Sequence, residues 1–592
     1  MSNQKPSVAA RIAATIKKLT HTEKLALTVC LAIFLLGLAG FVLLTNNESL
    51  VERPAAGGRL VEGVVGAPRF INPLLATANP DRDLVALVYS GLMRRGADGK
   101  LVPDLAREYS VSDDGKTYTF TLRPDLVWHD GAPVTAKDVV FTVNLAKEPA
   151  IKSPRRASWE GVQVSAQGDD KVIFELKQPY GSFLENATLG LLPAHLWQEV
   201  SNEAAPFSNL NIEPVGTGPY QFKQLTRDRD GLITNYTLAA ASHFALGEPK
   251  IKNIIFNFYP SEEGLVQAFK KGEITNLGAV SPALAEVLIK EFGSSIALYQ
   301  APLPRLFGVF FNQNQAKIFA QAEVRQALDL LIDRPKLVQT VLAGFGRPAS
   351  GPIPPQTKEA DLANLAATVA LEVTASSTAT STTSTPLLEA ETLLKKKGWT
   401  RNAETNVWEQ VDKKETKVLA FSLSTADTPE LKAAAELVKQ TWEDFGAKVE
   451  IKVFEAGALN QNVIRPREYD ALLFGEIVGR DPDLYSFWHS SQRLDPGLNI
   501  ALYTNASVDK MLEELKASLP NQDREEAYAK IAAEIVKDTP VVFLYTPDFI
   551  YLLPSELKGV AIEGLGNPAE RFMNVHDWYL KTEKVWPIFN QS

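Results

Sequence analysis

Hydrophobic and polar residues alternate between Thr117 and Leu122, a pattern typical of a β-strand with one buried face. The pair Asp114–Gly115 precedes this run and favours the turn of a β-hairpin, because glycine tolerates positive φ. A second turn pair, Asp130–Gly131, follows the strand. Thr135 is then predicted to be the N-cap of a helix that begins at Ala136.

Helical and extended patterns continue to alternate along the chain. The predicted helices are Ala322–Leu331, Pro429–Phe445 and Asp523–Val536, and the predicted strands are Lys448–Phe454, Ala471–Phe474 and Val541–Tyr545. Such alternation indicates α/β domains with mixed sheets. A chain of 592 residues is also too long for one hydrophobic core, so we expect two or more domains.

The apolar run Leu25–Leu44 is uncharged and long enough to cross a membrane. Basic residues precede it, at Arg11, Lys17, Lys18 and Lys24. By the positive-inside rule, residues 1–24 are predicted to be cytoplasmic and residues 25–44 to be a membrane anchor. Everything that follows is predicted to lie on the extracytoplasmic side of the membrane. Two alternatives remain, a cleaved signal peptide and a lipoprotein that carries its lipid on Cys30, the one cysteine of the chain.

Two segments have the composition of irregular connections. Residues 45–57 contain asparagine, proline and paired glycines, and are predicted to form a short flexible tether. Residues 356–386 include a Ser/Thr-rich stretch without large apolar residues, which predicts a flexible insertion. A glycosylated or partner-binding insertion is the alternative for the second segment.

Charge and motif content exclude several classes of function. Beyond the first fifty residues the net charge is −12, from 56 basic and 68 acidic residues, which argues against a nucleic-acid partner. The six histidines are scattered and lack the spacing of a zinc site, so no metal or other cofactor is expected. No G-x-S-x-G nucleophile motif is present, and no catalytic residue is predicted.

Several ordered motifs resemble one protein family. The hairpin, the Trp128–Gly131 turn and the capped helix look like the signature of the extracytoplasmic solute-binding proteins of ABC importers, in the family that binds peptides, nickel complexes and related solutes. Further similar motifs are Ile71–Leu74, Pro214–Tyr220, Phe310–Asn312, Val324–Leu328, Tyr469–Asp470 and Asp481–Asp483. The resemblance covers about residues 60–577.

This resemblance implies a two-lobed periplasmic-binding-protein-like fold, type II, of the large cluster with an extra subdomain. Lobe I would comprise residues 58–303 and 547–592, and lobe II residues 304–546. The solute would be clamped between lobes that close about the two crossings of the chain. The implied partners are a peptide or another small solute, an ABC permease and its ATPase subunits.

In the peptide-binding branch of this family, a carboxylate in a G-W-x-x-D-x-x-D/E-P segment holds the ligand's ammonium group. The corresponding segment, Gly475–Asp483, has Glu476 in place of tryptophan and is about two residues shorter. Asp481 is the residue closest in type, although it could instead cap the helix that follows. Arg480 could bind a carboxylate or phosphate of the ligand.

Other candidates for the cleft come from their position in the family pattern. Tyr485 and Trp488 could line an apolar pocket or belong to the core. Asn312 could bond the ligand or the backbone, and Gly216 and Gly218 could let the main chain approach a ligand or simply form a turn. The remaining candidates are Asp483, Ala76 and Asn79.

The sequence therefore predicts a single-pass membrane protein whose C-terminal part is extracellular or periplasmic. It would capture oligopeptides or a related small solute and deliver them to an ABC importer. Two other classes remain open, a sensory or structural ectodomain with the same fold and a hydrolase that uses the cleft between the lobes. A hydrolase would need a nucleophile and a base in that cleft.

Overall fold

The structure, a computed structural model, describes residues 19–96, 99–354, 385–411, 415–479, 482–518, 524–562 and 564–585. The strands are β1 Val51–Ala55, β2 Arg59–Val65, β3 Met93–Arg95, β4 Leu101–Pro103, β5 Ala106–Val111, β6 Thr117–Leu122, β7 Val162–Gln167, β8 Lys171–Leu176, β9 Tyr220–Arg227, β10 Ile233–Ala240, β11 Asn253–Tyr259, β12 Asn276–Gly278, β13 Ile296–Pro302, β14 Arg305–Phe311, β15 Gly346–Pro348, β16 Trp399–Arg401, β17 Trp408–Val411, β18 Thr416–Val418, β19 Ala420–Ala426, β20 Lys448–Phe454, β21 Ala471–Ile477, β22 Val541–Pro554 and β23 Lys581–Val585.

The α-helices lie mainly between these strands. They are His21–Ser49, Asn79–Val88, Ala136–Lys147, Arg156–Trp159, Phe183–Asn186, Ala194–Trp197, Glu262–Lys270, Pro282–Phe292, Ala322–Leu330, Arg334–Leu342, Pro386–Lys396, Pro429–Phe445, Ala456–Leu459, Leu484–Trp488, Ala506–Lys516 and Glu525–Asp538. The Ser/Thr-rich stretch that was predicted to be flexible lies almost entirely outside the described residues.

The chain divides into two compact units, and the smaller one combines residues 1–57 with residues 579–592. Its helix His21–Ser49 contains a segment, His21–Gly40, that is long and apolar enough to cross a membrane, a property that signal sequences share. Beyond this helix, β1 pairs with β23 in antiparallel register. The structure thus differs from the prediction of a flexible tether at 45–57. The prediction failed because local composition gives no information about strand pairing with the C-terminal segment.

The larger unit, residues 58–578, contains the predicted hairpin. Strands β5 and β6 pair in antiparallel fashion, and β6 buries Tyr118, Phe120 and Leu122 while its threonines stay partly exposed. The following helix begins at Ala136 as predicted. The Asp138 carboxylate accepts a hydrogen bond of 2.8 Å from the backbone N–H of Thr135, which satisfies a donor at the start of the helix.

Within the described residues, a twelve-stranded sheet runs through the larger unit in the order β20-β19-β21-β14-β22-β12-β2-β11-β10-β9, with β13 and β15 also paired to β22. The first half of β22 pairs with β14 and β15, and its second half pairs with β12 and β13. The chain therefore crosses between two sets of strands twice, near residues 303–304 and within β22. These crossings lie beside the predicted limits of the lobes. The division into lobes at those limits stays a prediction.

The main hydrophobic core consists of residues that all fall between Leu306 and Tyr545. The helix Pro429–Phe445, whose bounds match the prediction, contributes a stripe of buried residues that includes Trp442. A smaller core surrounds the helix Glu262–Lys270 and includes Ile550 and Leu552 of β22. One strand therefore contributes to both cores.

A buried ionic network connects distant parts of the larger unit. Arg571 donates two hydrogen bonds of 2.7 Å to the Asp83 carboxylate, and one of 2.9 Å to Glu62. The Tyr551 hydroxyl donates to the other oxygen of Glu62 at 2.7 Å. Together these groups join β2, the helix Asn79–Val88, β22 and the C-terminal segment.

Candidate functional site

A cavity of about 1140 Å³ lies inside the larger unit. Its walls come from residues between Arg95 and Glu185, between Val478 and Arg524, and between Gly566 and Glu570. The first and third of these segments belong to the predicted lobe I, and the second belongs to the predicted lobe II. The cavity is therefore lined by segments that the sequence assigns to different lobes.

A second cavity of about 510 Å³ adjoins the first. The two cavities share six lining residues, namely Arg95, Arg155, Ser158, Glu185, Asn567 and Glu570. The helix Asn79–Val88 contributes Arg82, Val85 and Ala86 to the wall of the second cavity. The two cavities thus adjoin, and this helix forms part of the wall of the smaller one.

The helix Asn79–Val88 is fixed in place at both ends. Near its start, the Asp81 carboxylate accepts hydrogen bonds from the backbone N–H groups of Arg69 and Phe70, at 2.6 and 3.0 Å. At its end, the backbone N–H of Gly218 donates to the Val88 carbonyl at 2.8 Å. These contacts set the position of the cavity wall that carries Arg82.

The cavity walls carry both acidic and basic groups. Arg95 forms an ion pair with Glu185, so this arginine is already neutralised. Burial raises the pKa of Asp104 to about 6, an effect that the charge of Arg94, a hydrogen bond from Ser90 and the charge of Arg123 oppose. The wall near Asp104 therefore changes its charge at a mildly acidic pH.

Within the described residues, no group of three or more histidine, cysteine, aspartate or glutamate side chains is arranged to hold a metal ion. The cavity instead offers single charged groups, backbone groups and the aromatic ring of Tyr485. Such walls suit a solute that is held by hydrogen bonds, ion pairs and apolar contacts.

The profile of the bacterial extracellular solute-binding proteins, family 5 (middle region), matches residues 100–495, which is more than half of the chain. The chain belongs to this family. Family members are solute-binding proteins that act outside the cytoplasm, and the resemblance seen in the sequence is confirmed.

Individual relatives agree with this assignment over most of the chain. The oligopeptide-binding protein AppA of Bacillus subtilis is 26% identical over 95% of this chain and 99% of its own length. Its structure in complex with a nonapeptide has a TM-score of 0.66, with 25% identity over 89% of this chain and 100% of that chain. The ABC transporter substrate-binding protein CtaP of Listeria monocytogenes has a TM-score of 0.72, with 26% identity over 89% and 99% of the two chains. The predicted two-lobed α/β fold is thereby confirmed.

Two of the predicted site residues line the larger cavity. The ring of Tyr485 is half-buried there, and the Lys516 ammonium lies 3.9 Å from its centroid. Asp483 also lines the cavity, but it serves as the N-cap of the helix Leu484–Trp488 by accepting a hydrogen bond of 3.2 Å from the backbone N–H of Ser486. The capping role considered for Asp481 thus belongs to Asp483 in the structure.

Three other predicted residues have their contacts inside the protein. Trp488 is buried and packs against Tyr503 and Phe543, so the core alternative is correct for it. The Asn312 amide donates to the Arg467 carbonyl at 2.8 Å, so it bonds the backbone. Glu476 is buried, its Oε2 has no hydrogen-bond partner within the described residues, and burial raises its pKa well above the ordinary value.

The two glycines serve packing against a helix. A Cβ at Gly216 would lie 1.9 Å from the Val88 carbonyl oxygen, and one at Gly218 would lie 2.6 Å from the Leu87 carbonyl oxygen. Because these two glycines lack a side chain, the end of the helix Asn79–Val88 can pack directly against their backbone. Of the remaining candidates, Ala76 lines the smaller cavity and Asn79 is exposed at the start of this helix. Arg480 and Asp481 lie outside the described residues.

Sequence reasoning missed two arginines of the cavity walls, Arg82 and Arg155. Neither belongs to a recognisable motif, since Arg82 lies on the helix Asn79–Val88 and Arg155 lies just before the short helix Arg156–Trp159. Only the fold brings them into one region. A signal was available at Arg155 alone, where two consecutive arginines stand at the start of a short helix.

Proposed function

We propose that this chain captures peptides in the larger cavity and delivers them, chemically unchanged, to an ABC importer. Membership of the solute-binding family supports this proposal. The names of its relatives give further support, since one is an oligopeptide-binding protein and a similar structure is described as a nonapeptide complex.

The cavity is the observation that carries the proposal. Its volume of about 1140 Å³ exceeds the roughly 300–1,000 Å³ that is typical of small-molecule pockets. Its lining mixes charged, polar and aromatic groups from segments of both predicted lobes. A peptide needs this combination, because its backbone requires polar partners while its side chains require room.

The test uses the full chain purified in detergent. We expect peptides to be released on denaturation and to be identified by mass spectrometry, and we expect a pool of randomised tetrapeptides to raise the melting temperature of the emptied protein. The variant Tyr485→Ala should weaken this effect, because it removes an aromatic surface from the cavity. Phe207→Ala is the matched control, because Phe207 is 88% exposed.

Two outcomes would reject peptide capture. One is that no peptide is released and the pool causes no stabilisation. The other is that the released solute is not a peptide and that no peptide competes with it for binding. Equal effects of Tyr485→Ala and Phe207→Ala would instead place the peptide outside this cavity.

We further infer that residues 25–44 anchor the protein in the cell membrane, with residues 1–24 in the cytoplasm and the remainder extracellular or periplasmic. The length of the apolar segment and the basic residues that precede it support this orientation. An intact N-terminus in the membrane fraction, with the C-terminal part accessible to protease from outside, is the expected result. A mature chain that begins after about residue 40, or a lipid on Cys30, would contradict it.

A further inference from the structure

A two-stranded ribbon begins almost where the apolar helix of the smaller unit ends. The helix His21–Ser49 is followed by Leu50 and then directly by β1. Strand β1 pairs with β23 in antiparallel register, and this register places Val51 opposite Val585. We call this pair of strands the β1–β23 ribbon. Its two valines therefore lie together, next to the end of the helix.

The chain between the apolar run and the ribbon is short. The helix continues beyond Leu44 for residues 45–49, which adds roughly 7–8 Å at 1.5 Å per residue. Leu50 and Val51 add at most about 7 Å. Val51 thus stays within roughly 15 Å of the hydrocarbon, and the headgroup region between them is itself roughly 5–8 Å thick. Strand pairing keeps Val585 within about 5.5 Å of Val51.

Charged side chains of the ribbon have partners on the opposite strand. Arg53 pairs with Glu583 at 2.7 Å, and Glu52 lies opposite Lys584 in the register. The end of the ribbon next to the helix carries the two valines instead, and Val51 is 38% exposed. Because water disfavours apolar surface, an exposed apolar end beside a membrane helix favours contact with lipid.

The sequence that follows β23 suits the same surroundings. Residues 586–592 lie outside the described residues, but Trp586 is bonded directly to Val585 and so starts beside the end of the helix. Residues 586–589 read Trp-Pro-Ile-Phe, and four residues extend by at most about 14 Å. Tryptophan is enriched where a membrane meets water, because its ring combines an apolar body with a polar N–H.

We propose that the β1–β23 ribbon makes a second membrane contact, in which Val51, Val585 and Trp586 enter the lipid headgroup region beside the anchor helix. The partner is the lipid surface itself. The inference rests on the membrane anchor proposed above, and it adds that the chain meets the membrane again after β23. The larger unit begins at Gly58 and ends at Trp578, so both of its ends lead into the ribbon. Two chain segments, instead of one, would then hold the receptor at the membrane.

The test uses the tryptophan fluorescence of the full chain. Of the nine tryptophans, the eight other than Trp586 are at most 3% exposed, namely Trp128, Trp159, Trp197, Trp399, Trp408, Trp442, Trp488 and Trp578. The protein is reconstituted into liposomes of phosphatidylcholine and phosphatidylglycerol, with and without brominated phosphatidylcholine, which quenches tryptophan on contact. The emission of Trp586 is the part that Trp586→Phe removes.

Glu583→Pro is designed to open the ribbon, and Thr582→Pro is its matched control. Pro54 has no N–H, which indicates that position 54 and its partner Thr582 direct their N–H groups away from the opposite strand. The next residue, Glu583, then directs its N–H towards β1. Proline at position 583 therefore removes a hydrogen bond of the ribbon as well as the ion pair with Arg53. Neither variant should change the melting temperature of the larger unit, to which neither position belongs.

We expect brominated lipid to remove most of the Trp586 emission in the unchanged protein and in Thr582→Pro. In Glu583→Pro most of this quenching should be lost, and acrylamide in the aqueous phase should quench Trp586 instead. Val51→Asp should also weaken quenching by lipid, because it places a charge at the apolar end of the ribbon while leaving Trp586 and β23 unchanged.

The outcomes separate this inference from the proposed anchor. If liposomes retain the protein and acrylamide, but not brominated lipid, quenches Trp586, the second contact is wrong and the anchor stands. Equal quenching by lipid in Glu583→Pro and Thr582→Pro would show that the ribbon does not position Trp586, which also overturns the inference. Release of the unchanged protein from liposomes by an alkaline carbonate wash refutes the anchor, and the second contact with it.

Discussion

Replacement of Arg571 by methionine is the sharpest test of what holds the larger unit together. Arg571 is 3% exposed and lies between two carboxylates that are equally inaccessible, those of Glu62 and Asp83. Methionine retains much of the apolar stem but removes the charge and the donors. Two carboxylates then remain close together in the core, without the cation that compensated for their loss of water.

The expected loss is about 3–5 kcal/mol of unfolding free energy at neutral pH, the range for breaking a buried ion pair by removing one partner. Burial already raises the pKa of Glu62, although Arg571 opposes this shift. Without Arg571 the folded protein holds the Glu62 proton more tightly than the unfolded chain does. Unfolding then releases that proton, so the loss in the variant becomes smaller as the pH falls.

The assay is urea denaturation of the full chain in detergent at pH 7 and pH 5, followed by tryptophan fluorescence. Arg53→Met is the matched control, because Arg53 forms an ion pair of 2.7 Å with Glu583 and both side chains are more than 40% exposed. Such a pair contributes about 0–1 kcal/mol. A loss below about 1 kcal/mol for Arg571→Met, or a loss that is the same at both pH values, would refute the reasoning.

Two further substitutions test buried groups. Glu476→Gln should raise stability at neutral pH by about 1–3 kcal/mol, because the buried carboxyl has a raised pKa and an oxygen without a partner. The stability that Glu476 contributes is complete below its ordinary pKa of 4.5 and is lost as the pH rises towards its pKa in the folded state. Denaturation measured from pH 4 to pH 8 should therefore show that stability depends less on pH in the variant. Gly216→Ala should destabilise the protein by several kcal/mol, since its Cβ would clash with the Val88 carbonyl at 1.9 Å, whereas Gly264→Ala, with its nearest neighbour at 3.8 Å, should be tolerated in the same thermal assay.

Elements whose determinants are close in sequence could be predicted from the sequence. The hairpin strand Thr117–Leu122 and the helix Pro429–Phe445 have the predicted bounds, because alternation and helical periodicity are set by neighbouring residues. The strand predicted at Val541–Tyr545 begins correctly but continues to Pro554. The residue pattern predicts only the first part of β22, which pairs with β14 and β15. It does not predict the second part, which pairs with β12 and β13.

Features that depend on distant partners could not be predicted. The segment 45–57 has a flexible composition, yet Val51–Ala55 becomes a strand because it pairs with Lys581–Val585. Tyr485 and Trp488 have similar helical positions and aromatic character, but one lines the cavity and the other lies in the core. The face that a side chain presents depends on what the rest of the chain places beside it.

The arginines of the cavity walls show why charged groups escape motif analysis even when the family is recognised. A motif identifies residues by their sequence neighbours, but Arg82 and Arg155 differ from Arg95 or Arg571 only in what lies around them. The latter two are neutralised by Glu185 and by Glu62 with Asp83. In sequence all four are basic residues in ordinary surroundings. The distinguishing property is the balance of charge around each side chain in the folded protein, and that balance is set by residues that are distant in sequence.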